Sequence, residues 1–271
     1  MNKVEGVILD WAGTTVDFGC FAPVNVFIDI FKKSGIEVTM EEARAPMGML
    51  KKDHIRAMLS MPRISALWEE KFARMFGEED VEDLYAEFEP ALLSSLSKYT
   101  DPIPEVVETV ALLKDKGLKI GSTTGYTQTM MDIIVPSALE KGYQPDFYIT
   151  PDETNSFGRP YPYMIYRNIE FLQLSASWKV VKVGDTVSDI KEAVHAGVWA
   201  VGVLVGSSEM GLSHAEFEAL TKADQKVIIS ETAEIFLENG ADFTIRSMCE
   251  LPALIEKINF LVSEGKRPGT K

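Results

Sequence analysis

Six strand-length apolar runs constrain this chain more than any other feature. They stand at residues 4–9, 118–122, 147–150, 180–183, 199–204 and 243–245, and several are rich in Val and Ile. Amphipathic stretches lie between them, such as residues 104–116, which close at Gly117 as helices often do. Alternation of this kind implies right-handed βαβ units and a parallel sheet with helices on both faces. The expected class is α/β, with a Rossmann-like parallel-sheet core.

Residues 20–98 break the alternation and hold no convincing strand. They read as helices over 21–33, from Met40 onward, over 64–76 and over 81–99, with Pro46 and Pro62 as punctuation. Thr39-Met40-Glu41-Glu42 fits a capping box, Thr39 being the N-cap and Glu42 reaching back to it. The expected organisation is therefore a core of residues 1–19 and 99–271 carrying an all-α insert of residues 20–98. A length of 271 residues suits one large domain or one domain with an insert. Phe21, Val24, Phe27, Ile28 and Phe31 give the first helix a wide apolar face, read as the insert's own core ahead of a dimer seam. The polar tail, residues 265–271, is expected to fray.

Composition excludes several function classes. With 27 Lys plus Arg against 41 Asp plus Glu, the net charge of −14 argues against a nucleic-acid binder, which must neutralise phosphates. Two cysteines, Cys20 and Cys249, cannot build a zinc ribbon or a disulfide scaffold. Glu5 and Asp10 flank the first apolar run, so it does not read as a signal peptide. No stretch approaches the ~20 apolar residues of a membrane span. A cytoplasmic setting is expected. There is no G-x-G-x-x-G and no Walker A sequence, and His195 and His214 are isolated.

The polar residues that follow the strands carry the chemistry, because ligand sites of open α/β sheets lie at the carboxyl ends of the strands. The first strand runs into Asp10-Trp11-Ala12-Gly13-Thr14-Thr15 and the second into Thr123-Thr124-Gly125. Gly158-Arg159-Pro160 follows the third, and Gly184-Asp185-Thr186-Val187-Ser188-Asp189 the fourth. Each is commonplace alone, since Asp after a strand is often only a turn former or helix cap. Together they have a chemical meaning. Asp10 and Asp185 can hold one Mg²⁺, a hard ion that bridges to phosphate. Backbone N–H groups near Gly13 and Gly125, the Thr124 hydroxyl and the Arg159 charge can bind phosphoryl oxygens. Asp10 can attack phosphorus and form an aspartyl phosphate.

In order and residue type these four segments resemble the motifs of the haloacid dehalogenase superfamily, with the helical insert in the position of its cap domain. Phosphatases of that superfamily usually read Asp-x-Asp, and the second Asp protonates the leaving alcohol. Here that position is Ala12, which can offer only its backbone carbonyl to a metal. The insert supplies another reactive group. On a helix, Lys51 shares a face with His54, Ile55 and Met58, while Lys52 shares its face with Arg56 and points to solvent. A lysine on a partly apolar face that closes over the core is desolvated, which lowers its pKa and frees an amine to form an imine. On pattern alone, a surface lysine whose stem lies over apolar neighbours is the commoner outcome.

A narrower resemblance runs over nearly the whole chain. Asp10 to Asp17, Cys20-Phe21-Ala22-Pro23, Pro46-Met47-Gly48 with Lys51, Gly121 to Tyr126, Arg159 to Pro162 and Gly184 to Asp189 are similar to the superfamily's phosphonatase family. The resemblance implies hydrolysis of the carbon–phosphorus bond of phosphonoacetaldehyde, with Asp10 as nucleophile and Lys51 as Schiff-base lysine. It implies one Mg²⁺ held by Asp10, the Ala12 carbonyl and Asp185, with Thr124, Gly125 and Arg159 on the phosphonate. It also implies a homodimer. Asp189 and His54 are read as supporting residues, His54 as a proton shuttle or simply a satisfied residue of the insert. The alternative kept open is an Mg-dependent phosphomonoesterase of the same superfamily. A dehalogenase and a non-catalytic binding protein fit the four acidic and basic positions less well.

Overall fold

The structure is a computed structural model that describes residues 3–270. Six parallel strands form one sheet in the order β3-β2-β1-β4-β5-β6. They are β1 (Gly6–Leu9), β2 (Lys119–Thr123), β3 (Phe147–Ile149), β4 (Val180–Gly184), β5 (Trp199–Val203) and β6 (Phe243–Ile245). Each falls within a residue or two of its apolar run. A parallel sheet is covered on both faces, and β1, β4 and β5 are buried along their whole length.

Chain order reverses beside β1: β2 and β3 lie to one side of it and β4 to β6 to the other. Leu9 is in register with Ser122 on one neighbour and Val183 on the other. Asp10 therefore leaves the sheet level with Thr123 and Gly184, and Thr124 and Asp185 follow one step on. Strand register alone gathers three of the four motifs at the switch point.

Five of the α-helices between β1 and β2 form the helical block. They are α1 (Phe21–Lys33), α2 (Met40–Arg44), α3 (Lys51–Leu59), α4 (Pro62–Phe72) and α5 (Glu78–Leu96). The capping box at Thr39 is formed in full, and Pro62 stands in the first turn of α4, where its missing N–H costs nothing. Val24, Phe27 and Phe31 of α1 are buried, and Phe27 stacks on Phe88 of α5 at 4.3 Å between ring centres. The apolar face of α1 thus serves the core of the helical block.

The chain enters the block through Asp17, Gly19 and Cys20, all at positive φ, and the Asp17 carboxylate caps α1 by accepting from Phe21 and Ala22 N–H. It returns near Pro102, where Ile103 N–H donates to the Thr15 carbonyl at 2.9 Å. The two crossings are bonded to each other. The rest of the sheet is covered by α6 (Val106–Asp115), α7 (Gln128–Glu140), α8 (Tyr163–Phe171), α9 (Val187–Ala196), α10 (His214–Ala219), α11 (Lys222–Glu238) and α12 (Leu251–Ser263).

The tail corrects one expectation. Gly269 N–H donates to Asp242 at 2.7 Å and the Arg267 guanidinium lies 4.0 Å over the Trp178 ring, so the chain is tied down as far as Thr270. Polar composition hid a cation–aromatic contact that the sequence pattern does not announce. Lys271 lies outside the described residues. Among those residues no helix is long and apolar enough to cross a membrane.

Candidate active site

The strand ends and the helical block meet around a small cavity of about 20 Å³. Asp10, Ala12, Thr124, Gly125, Arg159 and Thr186 line it from the sheet side, and Cys20, Met47, Gly48 and Lys51 from the other. All the sequence-predicted residues except Asp185, Asp189 and His54 line the cavity itself; Asp185 and Asp189 cluster with Asp10, and His54 is buried within the helical block.

Asp10 is 4% exposed and Asp185 is fully buried. Their carboxylates and that of Asp189 offer oxygens within 4.8 Å of one another. Burial, and then the charges of Asp10 and Asp189, hold the Asp185 carboxyl well above the ordinary carboxylate range. Thr14 Oγ1 and Ser208 N–H donate to Asp185 at 3.1 and 2.8 Å. Gly13, at φ +87°, makes the packing possible, because a Cβ there would lie 2.0 Å from an Asp185 oxygen. The Ala12 carbonyl accepts no hydrogen bond from the described residues.

Arg159 is buried in the same cluster. Its Nη2 donates to Asp10 at 2.5 Å and to Thr123 Oγ1 at 2.9 Å, and its Nε to Glu192 at 3.0 Å. Its Nη1 stands 3.1 Å from Asp189. Burial alone would lower its pKa, but Asp10, Asp189 and Glu192 outweigh that and raise it, so the guanidinium keeps its charge. Asp189 accepts from Thr186 Oγ1 at 2.6 Å and pairs with Lys182 at 2.8 Å. Burial disfavours the Asp189 anion, yet Arg159 and Lys182 keep its pKa low.

Lys182 and Glu192 escaped sequence reading. A lysine inside Val180-Val181-Lys182-Val183 looks like one solvent-facing strand position, but a central parallel strand has no such face. That contradiction was the available signal. Glu192 follows Asp189 by three residues on α9 and shares its face.

Lys51 opens α3 and is 3% exposed. Its Nζ lies 4.8 Å over the Tyr126 ring and has no hydrogen bond or ion pair among the described residues. Burial lowers its pKa, and Cys20 and Asp10 offset this only in part. Ile55 and Met58 are fully buried beside it, so its face is apolar as the spacing predicts. Lys52, on the next face, pairs with Glu82 at 2.7 Å.

His54 stacks on Phe27 at 3.8 Å and its Nε2 lies 2.9 Å from the Ala43 carbonyl. A carbonyl partner requires Nε2 to carry the proton, which leaves Nδ1 as a buried lone pair without a partner. Burial, and then the Lys51 charge, hold its pKa well below the ordinary histidine range. His195 and His214 stand apart, one against the Pro160 carbonyl and one edge-on to Phe18.

The donor set fits a hard divalent cation. Four buried carboxyl groups, Asp10, Asp185, Asp189 and Glu192, stand against the side chains of Arg159 and Lys182. Burial disfavours the Asp185 anion, and a cation held beside it would offset that cost.

The profile of the haloacid dehalogenase-like hydrolases matches residues 4–197. A phosphonoacetaldehyde hydrolase of Lysinibacillus sphaericus is 59% identical over 257 residues, which cover 95% of this chain and 96% of that protein. One from Bacillus cereus is 51% identical, covering 94% and 97%. A bifunctional phosphonoacetaldehyde hydrolase/aminoethylphosphonate transaminase of Clostridioides difficile is 56% identical, covering 95% of this chain and 40% of that longer protein. The crystal structure of a phosphonoacetaldehyde hydrolase-like protein from Oleispira antarctica superposes with a TM-score of 0.94 at 36% identity, covering 98% and 96%. The chain belongs to the haloacid dehalogenase-like hydrolases and, within them, to the phosphonoacetaldehyde hydrolase family.

Proposed function

We propose that this chain hydrolyses the carbon–phosphorus bond of phosphonoacetaldehyde to acetaldehyde and phosphate. The observation that carries the reading is the juxtaposition of a buried, unpaired lysine with an acidic strand end around one cavity. The names of relatives at 50–59% identity support it. A phosphomonoesterase needs no amine there, and it needs a proton donor where Ala12 stands.

The residues divide the work as follows. Lys51, whose pKa burial lowers, condenses as the amine with the aldehyde carbonyl and water leaves. The protonated imine accepts the electron pair of the breaking C–P bond, so carbon departs as an enamine rather than as a carbanion. Asp10 attacks phosphorus and takes the phosphoryl group. Protonation at carbon and hydrolysis of the imine release acetaldehyde and restore Lys51; water then frees phosphate from Asp10. The neutral His54, with Nδ1 open, is suited to move the proton that imine formation releases. Thr124 and the Gly125 N–H are assigned to phosphoryl oxygens. Arg159 holds Asp10 and completes that pocket.

Asp10, the Ala12 carbonyl and Asp185 would hold Mg²⁺, whose charge would neutralise the phosphoryl oxygens. Asp189, engaged by Arg159 and Lys182, is assigned to support that shell. On this reading residues 20–98 are a cap over a core of 1–19 and 99–271. The protein is a cytoplasmic homodimer whose partner is a small phosphonate. The test is release of acetaldehyde from phosphonoacetaldehyde, with and without Mg²⁺, followed by borohydride trapping. Turnover without a reduced adduct on Lys51 removes the imine; turnover of phosphate monoesters only favours the alternative.

A further inference from the structure

Arg44, the last residue of α2, reaches out of the helical block. Its Nη1 donates to the Gly19 carbonyl at 2.7 Å and to the Ser208 carbonyl at 3.3 Å, and lies 3.4 Å from Ser208 Oγ. The guanidinium covers the Phe21 ring at 4.7 Å. Its Nε and Nη2 are buried without hydrogen-bond partners. Gly211 leaves room for it, since a Cβ there would stand 3.3 Å from Nε.

The residues that Arg44 grips belong to one short loop and to the segment leading into α1. Gly19 N–H donates to the Gly206 carbonyl at 2.7 Å, binding that segment to the loop. On its other side the same loop holds the acidic centre. Ser208 N–H donates to Asp185 at 2.8 Å, and Glu209 accepts from Val187 N–H, the first residue of α9, at 3.0 Å. Residues 206–211 are thus clasped by the helical block and clasp Asp185 in turn.

We propose that Arg44 is a positioning residue that couples the seating of the helical block to the orientation of the Asp185 carboxylate through Ser208. This rests on the reading of Asp10 and Asp185 as a cation site. A buried guanidinium with two idle donors is costly to hold, so its placement needs a return. Burial works against its charge and lowers its pKa, and the neighbouring Cys20, Asp185, Asp17 and Glu209 offset this only in part. Coupling is reciprocal: a seated block favours cation binding, and a bound cation favours the seated block.

The test uses Mn²⁺ as the probe, in the absence of substrate. Electron paramagnetic resonance titration measures free Mn²⁺ against wild type, Arg44→Met and Arg44→Lys. Arg44→Met should raise the Mn²⁺ dissociation constant about five-fold or more, the range of ordinary inter-site coupling. Arg44→Lys should fall between, because it keeps the charge without the planar fork. Hydrogen exchange supplies the second readout. Mn²⁺ should slow exchange of the amides of α2 and α3 in wild type, and that slowing should be lost in Arg44→Met. A merely structural role would speed exchange with and without Mn²⁺ and leave the slowing intact, which overturns the coupling. So does wild-type Mn²⁺ affinity in either folded variant, and Arg44→Lys decides alone if Arg44→Met does not fold. Failure of wild type to bind Mn²⁺ removes the cation site itself, a different result from intact binding that ignores Arg44.

Discussion

Gly125→Ala should loosen the seam between the helical block and the sheet, at a cost to both turnover and stability. Gly125 follows β2 and lines the cavity beneath the turn that leads into α3. A Cβ added there would lie 2.7 Å from the Met49 carbonyl oxygen and 2.8 Å from that of Gly48, where ordinary contact begins at about 3.4 Å. These are backbone atoms, so no side-chain rotation relieves the clash. The helical block and the sheet must part by roughly 0.7 Å at this point to restore ordinary contact. Lys51 stands two residues beyond Met49 and moves with it.

A misplacement approaching 1 Å costs on the order of 10²-fold when two reacting groups sit on different elements. The expected loss in kcat/KM is therefore about 30- to 100-fold, or about 2–3 kcal/mol of transition-state stabilisation. Stability should fall too. Gly125 is not in the left-handed region, so alanine reduces unfolded-state entropy by about 0.4–1 kcal/mol, but relieving a backbone clash costs more, typically about 1–3 kcal/mol. Acetaldehyde release measures the first quantity and thermal unfolding the second. Loss of turnover with a lowered Tm is the predicted pair. Wild-type kcat/KM would show that the approach of Gly125 to Gly48 and Met49 does not set the reacting geometry.

Three further outcomes follow from the buried charges. Lys51→Arg should abolish turnover and the borohydride adduct while leaving the fold intact, because arginine is of similar length and forms no imine; a trapped adduct elsewhere would reassign the lysine. Asp185→Asn removes a carboxyl whose anion is disfavoured by burial and by Asp10 and Asp189. It should gain about 1–2 kcal/mol of stability without cation, lose activity, and no longer show the rise in Tm that wild type shows with Mg²⁺. Burial pushes Asp17 up to about 7, above its unfolded value of 3.8, although Ala22 and Phe21 N–H oppose this. The folded state then binds the extra proton, so this contribution is full below pH ~4 and is lost as pH rises toward and through 7. Denaturant titrations of wild type and Asp17→Asn should diverge over that window, with wild type falling as pH rises; parallel curves would refute the shift.

The fold was legible because parallel strands buried on both faces read as unbroken apolar runs, which flanking polar and glycine residues delimit. The acidic site was legible because its motifs sit at strand ends, where register then collects them. The buried network behind it was not. Lys182 and Glu192 carry residue types that belong on surfaces, and only their partners explain them. Thr39 and Glu42 marked a helix start correctly, since capping is local chemistry, whereas Pro62, read only as punctuation before a helix over 64–76, itself opens α4. The grip of Arg44 on Ser208 joins residues more than 160 apart, and no local pattern encodes it. Tertiary hydrogen bonds of that kind depend on which loop the fold brings opposite.

The surplus of acid and the handling of an anion are reconciled by layers. The net charge of −14 is a property of the whole surface and bears on solubility and on long-range encounter. Within the site, Asp10, Asp185, Asp189 and Glu192 are buried beside Arg159 and Lys182. Burial disfavours the Asp185 anion, and a divalent ion held there would supply the compensating charge. On the proposed reading Lys51 reacts as an amine and becomes positive as a protonated imine, on the substrate, where the breaking bond needs an electron sink. A lysine that stayed protonated would be no nucleophile. Apolar burial of Lys51 among Ile55, Met58 and the rings of Phe27 and Tyr126 lowers its pKa and so favours the reactive form.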